Sequence, residues 1–136
     1  LLGLYGKSVR SALRGAKTPR ERLDALVRVN FDTDQFSRPV VSAWLNFYVQ
    51  AHLSTEAQRL LSIYQSRLRS NLLNCLRPLI GAKAEAGAEM LAAQIDGLYI
   101  RSVLRDDAVN PKQTQAIALE LADLLVGSTA QDASKC

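Results

Sequence analysis

The sequence predicts an all-α fold, a helical bundle of about six helices in one domain of 136 residues. Apolar residues recur at three- and four-residue spacing in every long segment, which is typical of helices that bury one face. No segment alternates with a period of two residues and no Asn-Gly hairpin turn occurs, so no strand is predicted. The composition, 48% hydrophobic and 22% charged, is that of a globular domain large enough to bury a core without disulfides or a metal.

The first helix is predicted at residues 1–14, and Gly15 ends it. Its apolar face is marked by Leu2, Tyr5, Val9 and Leu13. No capping residue precedes this helix, so we expect further chain upstream. The first 28 residues carry seven basic side chains against two acidic ones. This charge fits a surface that faces nucleic acid or another phosphate-rich partner, and it fits a solvated helix face equally well.

The second helix has a strong start signal. Thr18 is a predicted N-cap, with Pro19 in the first turn and Glu21 at the capping-box position. The helical pattern ends at 30–34, where short polar side chains favour a turn. A third helix, rich in aromatic residues, is predicted over 37–53.

The fourth helix is predicted to begin at 54–56, and Pro78 and Gly81 bring it to an end. The fifth helix is predicted over 82–106. Its first half is rich in alanine and glycine, and small residues of this kind let the backbone of another helix approach closely.

The sixth helix begins with Asn110 as N-cap and Pro111 in the first turn, runs over 113–126 and stops at Gly127. We therefore expect one domain at 1–126, with a flexible polar tail at 127–136.

Aromatic side chains and one acid indicate a pocket for an organic cation. Trp44, Phe47 and Tyr48 lie at helical spacing i, i+3 and i+4, which stacks them on one face. Asp96 places a carboxylate in an otherwise apolar helix, where a charge is costly to bury without a partner. Aromatic faces attract such a cation by about 0.5–2 kcal/mol each. The candidate ligand-binding residues are Trp44, Phe47, Tyr48, Tyr64, Asp96 and Tyr99.

Two alternatives stay open at this point. The aromatic side chains could be core only, and Asp96 could pair with Arg67 or Arg101 inside the chain. A cavity of roughly several hundred cubic ångströms lined by Trp44, Tyr48 and Asp96 would favour ligand binding. A dry, packed interior would favour a helical dimerisation module that binds no ligand.

Nothing in the sequence indicates an enzyme, a cofactor or a metal site. It has one histidine, no nucleophile elbow, no phosphate-binding glycine loop and no His/Cys metal spacing. Glu85 and Glu89 lie one helical turn apart without the histidines that a di-iron bundle needs. Cys75 and Cys136 make no disulfide framework. No apolar run approaches the ~20 residues of a membrane span, so we expect a soluble, cytoplasmic protein.

Four stretches of the sequence resemble a known family. They are Asn-Phe-Asp at 30–32, Val-Ser-Ala-Trp-Leu-Asn-Phe at 41–47, Arg-Leu-Arg-Ser-Asn-Leu-Leu at 67–73 and Leu-Ala-Ala-Gln-Ile-Asp-Gly-Leu-Tyr-Ile-Arg at 91–101. Together they are similar to the C-terminal regulatory domain of BetI-type repressors in the TetR family, which control the genes that convert choline to glycine betaine. The likeness extends over about residues 2–125.

The resemblance implies an effector pocket for choline or a related quaternary ammonium compound, lined by the candidate residues above. It implies a homodimer in which helices 84–105 and 111–126 form a four-helix bundle. The implied interface residues are Gly87, Ala88, Leu91, Ala92, Ile117, Leu121 and Leu124. Helix 1–14 would correspond to the helix that links this body to a DNA-binding domain, and ligand binding would move it and reset the spacing of two recognition helices.

Two departures from the family pattern affect these expectations. The N-terminal helix-turn-helix domain has no counterpart in the sequence, so DNA would be bound only through a part that is missing here. Either the chain is a piece of a regulator or it is a relative without DNA binding. Tyr99 stands where the family pattern usually has tryptophan, which keeps an aromatic face but affects the choice of ligand.

Overall fold

The computed structural model describes residues 2–32, 36–105 and 110–134. Six α-helices and one short 3-10 turn account for most of these residues: α1 (Leu2–Arg14), α2 (Pro19–Val29), α3 (Arg38–Leu53), α4 (Thr55–Ile80), the turn Gly81–Lys83, α5 (Ala84–Leu104) and α6 (Pro111–Ser134). No described residue lies in a strand, and the predicted all-α fold is confirmed. Part of the predicted turn at 30–34, the predicted helix end at Asp106, and Leu1 and Cys136 lie outside the described residues.

The predicted capping residues begin their helices. The Thr18 hydroxyl accepts a hydrogen bond from the backbone N–H of Glu21 at 3.1 Å. Asn110 Oδ1 accepts one from the N–H of Gln113 at 3.1 Å, and Ser54 caps α4 in the same way. Each cap satisfies one of the N–H groups that the first helical turn leaves without an intrahelical acceptor.

The predicted end of α4 at Gly81 is confirmed, although Pro78 does not stop the helix, and the predicted end of α6 differs. Pro78 lies inside the last turn of α4, where its missing N–H removes a single bond, and Gly81 at φ +56° then ends the helix with its N–H bonded to the Arg77 carbonyl. The predicted stop at Gly127 is wrong, because α6 continues to Ser134. Gly81 is the one described glycine with a positive φ, so Gly127 keeps an ordinary helical backbone at the modest cost of a glycine within a helix.

Helix α4 forms the centre of the bundle and packs against α2, α3, α5 and α6. Helix α1 lies on α2, and α6 closes the other side against α2 and α5. Aromatic side chains fill the part of the core that lies between α1, α3, α4 and α5, and leucine and alanine fill the part between α4, α5 and α6. No described helix has the length and apolar character needed to cross a lipid bilayer.

Candidate functional site

Trp44 lies at the centre of an aromatic cluster. Its indole is 1% exposed and its ring centroid is 4.8 Å from that of Tyr64, 5.8 Å from that of Tyr5, and 6.2 Å from those of Phe47 and Tyr48. The Tyr5 and Phe47 rings meet the indole edge-on, an arrangement that aromatic quadrupoles favour. The structure therefore brings four of the six candidate residues into one cluster and adds Tyr5 from α1.

The indole nitrogen of Trp44 is the one polar atom in this cluster whose hydrogen bond is missing. Trp44 Nε1 is fully buried and donates to no atom of the described residues. A buried donor without an acceptor costs about 1–3 kcal/mol, so native structures seldom keep one without a reason. The atom is available to an oxygen acceptor that enters the cluster.

Asp96 lies beside this cluster on α5 and is half-buried. The Tyr48 hydroxyl donates to its Oδ1 at 3.4 Å. Burial raises the pKa of the Asp96 carboxyl above its ordinary value; the Tyr48 hydrogen bond opposes that shift and the negative charge of Glu89 adds to it. The carboxylate thus lies in an environment that disfavours its charge.

No cation of the described residues pairs with Asp96. The two ion pairs found among them both involve Arg20, which bonds to Asp24 at 3.0 Å and to Asp123 across the α2–α6 contact. Arg67 and Arg101 are both exposed and neither bonds to Asp96. The structure gives no support to the alternative in which an internal arginine neutralises this acid.

Tyr99 belongs to a second aromatic cluster. Its ring lies 5.8 Å from Phe31 and 5.4 Å from Phe36, centroid to centroid, and its hydroxyl donates to the backbone carbonyl of Asn30. Burial is the main cause of the raised pKa of this phenol. Tyr99 therefore does not join the rings around Trp44, although it shares α5 with Asp96.

Sequence reasoning missed two residues at this site, Tyr5 and Asn30. The Tyr5 hydroxyl donates to Asn30 Oδ1 at 2.8 Å, and burial raises the pKa of Tyr5 to about 12. Asn30 is completely buried, and its Nδ2 donates to the Leu26 carbonyl at 2.8 Å. The apolar spacing of the first helix places Tyr5 on its buried face, so the sequence contains a signal for Tyr5. An asparagine at a helix end is typical of an ordinary cap, so the sequence contains no such signal for Asn30.

Trp44, Tyr48 and Asp96 line neither of two open clefts that lie among the described residues. One, of about 690 Å³, runs between α1 and α4, and the outer sides of Tyr5 and Tyr64 form part of its wall. Arg10 and Arg67 also line this groove and no acidic residue does, so it disfavours a cation. The other, of about 670 Å³, lies between α1, α2 and the start of α6. No group of three or more potential metal ligands occurs in the described part of the chain.

The predicted interface residues divide into two groups. Gly87, Ala88 and Leu91 are buried within the protomer, so the close-packing face of α5 meets α4 and α6 of its own chain. A methyl group on Gly87 would lie 3.0 Å from Ile80 Cδ1 and 3.9 Å from Leu125 Cδ1. These three residues are therefore unavailable to a second protomer.

The remaining interface candidates are at least partly exposed. Ala92 and Leu121 are half-buried, and Ile117 and Leu124 are exposed. Further large apolar side chains on α5 are between 44% and 77% exposed: Met90, Ile100 and Leu104. The outer faces of α5 and α6 thus present an apolar surface that a single protomer leaves uncovered.

Comparisons with known proteins agree with this architecture. Residues 19–127 match the family model of the BetI-type transcriptional repressor C-terminal domain. The HTH-type transcriptional regulator BetI of Rhizobium meliloti (strain 1021) is 49% identical over 118 residues, which cover 86% of this chain and 58% of that protein. The regulator of the same name from Brucella melitensis biotype 2 (strain ATCC 23457) is 46% identical over 120 residues, covering 88% of this chain and 60% of that protein.

The fold also matches a solved structure. A crystal structure of a transcriptional regulator from Pseudomonas aeruginosa PAO1 superposes with a TM-score of 0.75 at 27% sequence identity, covering 93% of this chain and 65% of that one. The chain spans about three fifths of the length of the curated relatives above. Members of this family are transcriptional regulators, so the prediction that the domain is not an enzyme is confirmed. The chain belongs to the BetI-type family of TetR repressors and matches the C-terminal domain of that family.

Proposed function

We propose that this domain binds a quaternary ammonium compound, choline or a close relative, beside Trp44 and so regulates a cytoplasmic repressor of betaine-synthesis genes. One observation carries the proposal: Asp96 is a half-buried carboxylate next to an aromatic cluster, and no cation of the described residues pairs with it. A ligand cation would supply the missing counter-charge.

The chemistry of the cluster suits a permanent cation with a small polar group. Such an ion cannot lose its charge on burial, so it needs a counter-charge or a cage of aromatic faces, and each face contributes about 0.5–2 kcal/mol. Asp96 offers the charge, and the rings of Trp44 and Tyr48 offer faces that demand no hydrogen bond. Trp44 Nε1, which is buried without an acceptor, suits the hydroxyl oxygen of choline.

Room for the ligand must come from side chains that can move. Trp44 and Tyr64 are buried, whereas Phe47 and Tyr48 are half-buried on the same face of α3. We expect these two rings to swing outward when a ligand enters. Binding would then favour a conformation that differs from the packed one, which is the requirement for a ligand to shift an equilibrium.

A homodimer through α5 and α6 is the second part of the proposal. The exposed apolar side chains of these helices, among them Leu104 and Leu124, support a four-helix bundle with a second copy. An obligate interface of that kind buries about 2,000 Å² or more in total. DNA binding would require the upstream part of a longer protein, with α1 as the link.

Trp44 is the only tryptophan, so its fluorescence tests the ligand proposal directly. Choline should change the emission saturably, and the neutral isostere 3,3-dimethylbutanol should bind more weakly. Asp96→Asn should weaken choline more than the isostere, and Glu120→Gln, which removes one carboxylate charge at an exposed position of α6, should not. Equal affinities for choline and the isostere would contradict the role of Asp96.

A ligand-free interaction module is the alternative, because Trp44 is fully packed and lines neither cleft. No fluorescence response to either compound would favour it.

A further inference from the structure

A single buried residue joins three helices at the end of α2. Asn30 is the only buried polar residue in the described part of the chain. Its Nδ2 donates to the Leu26 carbonyl in its own helix, and its Oδ1 accepts from the Tyr5 hydroxyl of α1. Its backbone carbonyl accepts from the Tyr99 hydroxyl of α5. These three hydrogen bonds are therefore directed at three different helices.

Asparagine is suited to this position by its chemistry. The amide offers a donor and an acceptor at once, so it satisfies a carbonyl in the last turn of α2 and a phenol hydroxyl of α1 together. An ionised aspartate would accept from Tyr5 but could not donate to Leu26, and an alanine would leave both groups without partners in a buried site.

We propose that Asn30 is a positioning residue that couples α5 to α1 through the hydroxyls of Tyr99 and Tyr5. The inference rests on the proposed function for its purpose, since Asp96 precedes Tyr99 by three residues on α5, and α1 is the helix that the proposed function makes the link to a DNA-binding part. A displacement of α5 at Asp96 moves Tyr99, whose hydroxyl is bonded to the Asn30 carbonyl. The side chain of Asn30 then moves with its backbone and shifts the Tyr5 hydroxyl.

This hydrogen-bonded route is separable from the aromatic one. The Tyr5 ring also touches the rings of Trp44 and Tyr64, at centroid distances of 5.8 Å and 5.2 Å. The contact with Trp44 does not use the Tyr5 hydroxyl, whereas Tyr64 also shares a hydrogen bond with it. Phenylalanine keeps the ring and removes only the hydroxyl. The variants Tyr5→Phe and Tyr99→Phe therefore cut the two ends of the bridge while the aromatic packing stays in place.

Hydrogen exchange on the ligand-free chain tests the coupling. Tyr99→Phe changes α5 only, yet the amides of α1 should exchange about two- to tenfold faster relative to those of α4, because one hydrogen bond that holds α1 indirectly is lost. In a Tyr5→Phe background the same change should have no further effect on α1. Ser102→Ala is the control on the same helix, since it removes an α5 hydroxyl that donates to a backbone carbonyl, that of Tyr99, without involving Asn30, and it should leave α1 unchanged.

Two results would overturn the inference. Exchange in Tyr99→Phe that accelerates equally in α1 and α4 would mean a general loss of stability, and effects of Tyr5→Phe and Tyr99→Phe that simply multiply would mean that the two hydroxyls act independently.

A second measurement adds the ligand. At saturating choline the wild-type chain should show a changed exchange rate in α1, and Tyr99→Phe should reduce that change. If choline changes the exchange rate of α1 in Tyr99→Phe as much as in the wild type, the coupling runs through the Trp44–Tyr5 ring contact. That result would overturn the role of Asn30. A wild-type chain that does not bind choline would contradict the proposed function alone, because the ligand-free experiment still decides on Asn30.

Discussion

The close contact at Gly87 allows a quantitative test of the packing between α4 and α5. Gly87→Ala should gain about 0.5–1 kcal/mol of helix propensity, since alanine loses less backbone entropy than glycine. The added methyl group would lie 3.0 Å from Ile80 Cδ1 and 3.4 Å from Leu76 Cδ1. The first distance is shorter than an ordinary carbon–carbon contact, so the end of the Ile80 side chain must shift.

Overpacking of a well-filled core costs typically about 1–3 kcal/mol, which exceeds the propensity gain. We therefore expect Gly87→Ala to lower the free energy of unfolding by roughly 0.5–2 kcal/mol. Gly97→Ala on the same helix is the matched control, because a methyl group there would have no neighbour within 4 Å. That variant should raise the free energy of unfolding by about 0.5–1 kcal/mol.

Urea denaturation monitored by Trp44 fluorescence and far-UV circular dichroism measures both changes. All variants are compared at one protein concentration, because the proposed dimer would make the midpoint depend on concentration. The midpoints of the two variants should move in opposite directions with an unchanged m-value. Equal stabilisation by both alanines would show that α5 does not pack against α4 as closely as the structure has it.

Two further predictions concern the charge at the site and the outer surface. Because burial raises the pKa of Asp96 in the ligand-free fold, the stability that its protonated form contributes is present at low pH and lost as the pH rises through that pKa. Asp96→Asn should thus be more stable than the wild type at neutral pH, with a difference that shrinks toward about pH 4, and urea unfolding at several pH values checks it. A difference that grows on acidification would contradict the sign of the shift. Leu124→Glu should convert the expected dimer to a monomer in sedimentation velocity, whereas Leu53→Glu, at a comparably exposed leucine that ends α3, should not. An unchanged dimer in Leu124→Glu would exclude this surface as the interface.

The helix starts could be predicted because their signals are local. The capping residues Thr18 and Asn110, each preceding a proline, fix where a helix begins without reference to the rest of the chain. The stop at Gly127 failed for the opposite reason. Glycine ends a helix only where the chain needs a positive φ, and that need is set by the tertiary path of the chain beyond it, which the sequence pattern does not show.

The sequence does not show which residues of α5 pack inside the protomer and which stay on its surface. Small residues on α5 indicate a close approach by another helix, but Gly87 and Ala88 do not reveal whether that helix belongs to the same protomer. Similarly, the spacing of Trp44 and Tyr48 predicts a shared face, while the position of Tyr99 in a different cluster depends on Phe31 and Phe36, which lie far away in sequence. Contacts across the bundle are set by tertiary packing.

Asp96 and Tyr99 lie on one face of α5 and contact different parts of the domain. The carboxylate accepts from Tyr48 of α3, beside the aromatic cluster, and the phenol donates to the end of α2. Since an α-helix rises about 1.5 Å per residue, the two side chains begin within one turn of each other, and a shift of the helix at one is a shift at the other. In the proposed mechanism, a ligand that draws Asp96 toward its charge would therefore pull on Asn30 without any intervening loop. A leucine in place of Asn30 would leave the buried Tyr5 hydroxyl and the Leu26 carbonyl without the partners that Asn30 gives them, and it would break the hydrogen-bonded link to α1.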